Sequence, residues 1–178
     1  MSVLSKNKKV VDYYEINPST MALLSVANID YDVNVLEQQQ EFFVRKRPIH
    51  LIQSACLDGG STYEGRRLAV IHQTGSKQKV PIPVDPLHHI FAFPTLSPRT
   101  YECKWIFYHH VHSIQAHRSP EEPSIQSIIT FKNGHQLPMN ETTYILEKQM
   151  QRTAMCILRF TNPLQESQLL HKKGAGTS

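Results

Sequence analysis

Apolar positions in this chain come mostly in short blocks closed by turn residues, which is the pattern of strands. TMALLSV (20–26), EFFVRKRPIHLI (41–52), HIFAF (89–93), KWIFYHHVHSI (104–114) and SIQSIITF (124–131) are rich in β-branched and aromatic residues and read as strands. KVPIPVDP and FPTLSP hold five of the eleven prolines, so residues 80–98 are expected to be extended. SIITFKNGHQLPM reads as a β-hairpin, with Asn133-Gly134 supplying the two positive-φ residues of a type I′ turn. The proline-rich acidic stretch SPEEPS (119–124) is a loop that could set a C-terminal unit apart from a larger body.

Two segments show helical signals instead. In CLDGGSTYEGRRLAVI (56–71), Ser61 and Glu64 form a capping box, and Gly75 is a natural stop. A second helix runs from near Asn140 to Asn162-Pro163. At 100° per residue, Leu146, Met150, Ala154 and Ile157 share one face, with Lys148, Arg152 and Arg159 opposite. The fold class is therefore α+β: one domain with a mostly antiparallel, bent sheet or partial barrel. It carries a short helix near 61–74 and a longer C-terminal helix near 141–160. Residues 1–10 and 163–178 are expected to be flexible tails around a body spanning 11–162.

Composition adds little beyond confirming a globular chain of 178 residues, with 40% hydrophobic and 19% charged. No stretch approaches the roughly 18 apolar residues of a membrane span, and the lysine-bearing N-terminus lacks an apolar signal core. Three widely spaced cysteines without a CxxC pair suit a reducing compartment. Together these features point to a cytoplasmic protein. Charge changes the picture more. Residues 10–41 hold six acids and no Lys or Arg, whereas residues 42–118 hold ten basic residues against four acids. A basic middle behind an acidic flank suggests a surface for a polyanion.

Glycine at a helix start raises the question of whose phosphate it would cradle. Gly59, Gly60 and Gly65 fit neither a Walker loop nor a dinucleotide fingerprint, and no lysine falls between Lys46 and Lys77. What remains is anion binding by helix-start amides with Arg66 and Arg67, or a plain junction. His110 and His112 would share one face of a strand, but no third ligand has a recognisable spacing. No catalytic signature surrounds a cysteine, and paired carboxylates are not visible. The chain reads as no enzyme, with no cofactor and no metal, although a metal- or nucleotide-dependent enzyme stays as an alternative.

Nucleic-acid binding has the most support, because basic residues recur on many elements. Arg45, Lys46, Arg66, Arg67, Arg99, Lys104, Lys132, Asn133, His135 and Arg152 are the candidate DNA contacts. With roughly 65 residues of extended chain between the two helices, a helix-turn-helix pair is not expected. Loops and a hairpin tip such as Lys132-Asn133-Gly134-His135 suit the minor groove, where Arg is drawn to narrow A·T tracts.

In order, CLDGGSTYEGRR, PIPVDPLHHIFAFPTLSP, KWIFYHHVH, TFKNGHQLP and QRTA resemble the ComK family of bacterial competence transcription factors. The similarity spans roughly residues 13 to 160. The resemblance implies a sequence-specific activator of late competence (DNA uptake) genes, or a paralogue that modulates or represses them. It also implies binding to A·T-rich boxes of double-stranded DNA through the minor groove. The protein would assemble with itself as a dimer or tetramer, and work with RNA polymerase at the nucleoid. Family members are similar in being degraded through a Clp protease adaptor; TNPLQESQLLHKKGAGTS, the tail after Phe160, departs from the family pattern there.

Overall fold

A computed structural model describes residues 9–161. The larger of its two sheets has seven strands in the order β1-β4-β3-β2-β7-β6-β5. These are β1 (Val10–Val11), β2 (Thr20–Ser25), β3 (Val33–Glu37), β4 (Glu41–Val44), β5 (Ile82–Asp85), β6 (Ile90–Pro94) and β7 (Trp105–Phe107). β1 lies parallel to β4, and every other pairing is antiparallel. The smaller sheet joins β8 (Val111–Ala116), β9 (Ser127–Phe131) and β10 (Gln136–Met139) in the order β10-β9-β8. Three helices complete the α+β domain: α1 (Pro48–Asp58), α2 (Tyr63–Thr74) and α3 (Thr143–Thr161). The sheets are open, and neither closes into a barrel.

The sheet is covered on both faces, which explains why TMALLS is buried at its first four positions instead of alternating. One core layer packs Leu51, Ile52 and Cys56 of α1 on Leu23, Val35, Val84 and Trp105. A second joins Met21, Leu36, Phe93 and Ile106 to Ile129, Phe131 and Met139 of the smaller sheet and to Leu146 of α3. A third, smaller cluster of Val70, Val80, Phe91 and Cys156 ties α2 to α3. Pro83 is tolerated because β5 is an edge strand.

Four local expectations need correction. EFFVRKRPIHLI is a strand only to Val44; Arg47 is extended and Pro48 opens α1. Its fixed φ and missing N–H suit the first turn of a helix, and Leu51, Ile52 and Cys56 then fall on one buried side. The cap of α2 is Thr62, not Ser61: its Oγ1 accepts from Gly65 N at 2.9 Å, and Gly75 ends the helix at φ 74° as expected. In the β9–β10 hairpin only Gly134 has positive φ, and its N–H donates to Phe131 O at 2.9 Å. That is a turn closed by one left-handed glycine, not type I′. The buried line of α3 is Leu146, Gln149, Thr153 and Cys156, because two polar side chains find partners inside and a hydrophobicity wheel cannot see that.

SPEEPS links β8 to β9 within one sheet and separates nothing. The expected tails fall mainly on residues 1–8 and 162–178, outside the described residues; Val10 belongs to β1.

Candidate nucleic-acid interface

A groove of about 1000 Å³ opens where the start of α2 meets two loops, one before β5 and one between β6 and β7. Arg67 of α2, Lys77 and Lys79 of the first loop and Arg99 of the second all line it. Glu64 is the one acid in the wall, and Arg67 Nη1 already pairs with its carboxylate at 2.9 Å. Thr62, Tyr63 and Glu64, the first turn of α2, line the same wall. The positive end of the helix dipole therefore adds to the field of the four cations. The Tyr63 ring packs edge-on to Trp105, and burial pushes its phenol up to about 12, with the Arg67 charge offsetting part.

Sequence segments far apart thus converge. Of the residues singled out from the sequence, Arg67 and Arg99 meet in this groove, together with Lys77 and Lys79. The rest stand elsewhere, several with internal partners. Arg45 pairs with Asp12 at 2.8 Å and donates to Asp30 O at 3.2 Å. Lys46 is exposed between β4 and α1. Arg66 Nη2 donates to Gly59 O at 2.8 Å, holding the α1–α2 turn. Lys104 is half-buried, and its backbone is paired with Thr95. Arg152 Nη1 donates to Gln149 Oε1 at 3.0 Å and reaches Gln78 O at 3.5 Å.

At the hairpin tip, Asn133 Nδ2 donates to Gln38 O at 2.9 Å, and Asn133 Oδ1 accepts from His135 N at 3.0 Å. The His135 ring leans on Phe131, and exposed Lys132 donates its own N–H to His110 O at 2.8 Å. The acidic flank has structural work as well: Glu37 accepts from Tyr14 Oη at 2.5 Å, Asn17 at 2.8 Å and Gln40 at 2.8 Å.

The glycine turn is now explained by packing. A Cβ on Gly59 would stand 2.8 Å from Val84 O, and Gly60 sits at φ 87°. These glycines let the turn seat against β5 and reverse direction. The turn also joins two consecutive helices, α1 and α2, so helix spacing does not exclude a helix-turn-helix pair, against the expectation from the sequence. The most exposed positions of α2 are Glu64, Gly65, Leu68, His72 and Gln73, and Arg67, at 35% side-chain exposure, is paired with Glu64 at the helix's groove end. That is a poor composition for a helix lying in a charged groove of DNA.

The histidines gather differently from the strand expected of KWIFYHHVHSI. Tyr108–His110 is a 3-10 turn between β7 and β8, so His110 and His112 belong to different elements. His88, His89, His109 and His110 ring a cavity of about 210 Å³. His88 Nδ1 lies 2.6 Å from Asp85 Oδ2, and His110 Nε2 lies 2.7 Å from Pro18 O. Burial first, then the neighbouring His89 and Lys132, holds His109 below its ordinary range; burial and Lys132 do the same for His110, against the Pro18 contact. Among the described residues no three His, Cys, Asp or Glu side chains are grouped to hold a metal ion. Burial pushes the Cys56 thiol up to about 11 and Cys156 to about 12, and raises Cys103, so all three stay protonated and weakly nucleophilic at neutral pH.

Four cations drawn from three segments line one open groove, with one of them paired to Glu64, so the field there favours anions. The chain belongs to the ComK protein family, whose sequence model matches residues 11–165. It is 31% identical over 157 residues to the competence transcription factor of Bacillus subtilis (strain 168), covering 87% of this chain and 79% of that protein. No solved structure matches it. Among the described residues no helix is long and apolar enough to cross a membrane.

Proposed function

We propose that this protein is a cytoplasmic, DNA-binding transcription regulator of competence genes that grips duplex DNA with the groove lined by Arg67, Lys77, Lys79 and Arg99. The observation that carries the reading is the convergence of these four cations in a member of the ComK family. Spaced Lys and Arg side chains neutralise phosphates and release counterions, which supplies sequence-independent affinity. Sequence preference would come from A·T-rich boxes read in the minor groove by basic loops, with more than one copy bound per site. The family resemblance and the Lys77–Lys79 and Arg99 loops favour that route over α2 as a groove-reading helix, since its only basic residue in the groove is Arg67. In this reading the protein activates transcription with RNA polymerase at the nucleoid and performs no catalytic step. A link to a Clp protease adaptor would rest on the tail after Phe160, which departs from the family pattern and from residue 162 on lies outside the described residues.

Fluorescence anisotropy titrations of the full chain against a duplex with two A·T-rich boxes and a G·C-rich duplex test this. Tighter binding to the boxes, weakening steeply with salt, is the expected result. Equal affinity for both duplexes would remove the A·T reading, and no binding to either would remove DNA binding itself.

A further inference from the structure

Inside the groove, Lys79 has φ 47°. This left-handed backbone region is one that glycine adopts freely and a lysine rarely does. Such a conformation persists only where the surroundings over-determine it. Here one side chain of α3 holds the Lys79 carbonyl. Gln149 is 1% exposed on the helix's buried line, where an apolar residue would ordinarily stand. Its Nε2 donates both to Lys79 O at 2.9 Å and to Pro94 O at 2.8 Å.

The two carbonyls belong to different segments. Lys79 lies in the loop that carries Lys77, between α2 and β5, and Pro94 ends β6, five residues before Arg99. A single amide therefore ties the loop that brings Lys77 and Lys79 to the groove to the end of β6. Its remaining acceptor is occupied by Arg152 Nη1 at 3.0 Å, and the same guanidinium reaches back to Gln78 O. A buried amide is tolerated because its polar atoms are paired, and here one partner is the backbone of a groove loop.

We infer that Gln149, backed by Arg152, is a positioning residue that delivers Lys77 and Lys79 to backbone phosphates of bound DNA. This rests on the DNA-binding reading above. Lys77 and Lys79 make the contact; Gln149 and Arg152 act through them. Arg152, which looked from the sequence like a DNA contact, is assigned to the support behind the groove.

The test compares wild type, Gln149→Met, the pair Lys77→Gln with Lys79→Asn, and the triple variant, by anisotropy at several salt concentrations. Asn is chosen at 79 because it tolerates the left-handed region. The lysine pair is expected to weaken binding about tenfold on both A·T and G·C duplexes, and to reduce the slope of log K against log salt by about 2. Gln149→Met should shift the slope in the same direction, and the triple variant should be no worse than the lysine pair, since both remove one set of contacts. An unchanged slope in the lysine pair overturns the phosphate assignment. A lysine effect with none from Gln149→Met, or with fully additive losses, overturns the positioning role. If circular dichroism shows Gln149→Met unfolded, Arg152→Ala takes its place, and an unchanged slope there counts against the inference. Failure of wild type to bind either duplex brings down the DNA reading and this inference together, whereas normal wild-type binding with indifferent variants brings down the inference alone.

Discussion

Two basic regions of this molecule look alike in sequence and differ in structure. KNGH (132–135) and SKQK (76–79) are both short, polar, positively charged loop segments beside an extended strand. At the hairpin tip the amide of Asn133 is spent on Gln38 O and on His135 N, so the tip is fastened to the β3–β4 turn. In the groove the loop's backbone is held from behind by Gln149, and its lysines join Arg67 and Arg99. The difference lies in where each loop is anchored. Anchoring through the recognition side chain consumes it, whereas anchoring through the backbone leaves the side chains for a ligand.

The largest expected effect comes from unseating the turn between α1 and α2, just before the helix start that lines the groove. Gly59→Ala places a methyl 2.8 Å from Val84 O and should destabilise the fold by about 1–3 kcal/mol, read as a lowered midpoint in urea. Next, Arg67→Ala with Arg99→Ala is expected to weaken DNA binding about tenfold on any duplex while leaving the urea midpoint nearly unchanged; retained affinity would erase the contrast between the two loops. Asn133→Ala should do the opposite. It removes the tie to Gln38 and lowers stability by about 0.5–1 kcal/mol, with affinity, A·T preference and salt slope intact. A relaxed preference in that variant would show the tip reading bases.

The smallest effect is a pH dependence at the tip's base. His109 and His110 are both held below the ordinary 6.5 in the fold, so the unfolded chain takes up their protons first. Their stability contribution is complete above about pH 6.5 and declines as pH falls through the folded values. Urea midpoints from pH 7.5 to 5 should fall, and His110→Gln should shrink that fall. An unchanged midpoint would mean that these rings do not titrate differently on folding.

Strands β2, β4, β6 and β9, the Gly75 stop, the hairpin and the amphipathic C-terminal helix were legible because each follows from local pattern, whereas β1 and β3 (Val33–Glu37) in the acidic flank were not, and β7 and β8 read as one strand. Helix α1 was not, since Ile49 and Ile52 beside Phe42 and Phe43 read as one strand, and only burial of Leu51, Ile52 and Cys56 on one side decides otherwise. The motif stretches carried the family. The groove was half legible: Arg67 and Arg99 stood out as charges, while nothing local marked Lys77 and Lys79 as their neighbours. Gln149 gave no signal at all, because a polar residue on an apolar face is informative only once its partners 55 and 70 residues away are known.

We propose that DNA lies against the groove and not against the hairpin tip. Lysine acetylation read by mass spectrometry, with and without a two-box duplex, compares them in one sample. Protection of Lys77 and Lys79 by DNA, with Lys132 reacting at its free rate, is the predicted result. Protection of Lys132 with Lys77 and Lys79 still reactive would contradict it.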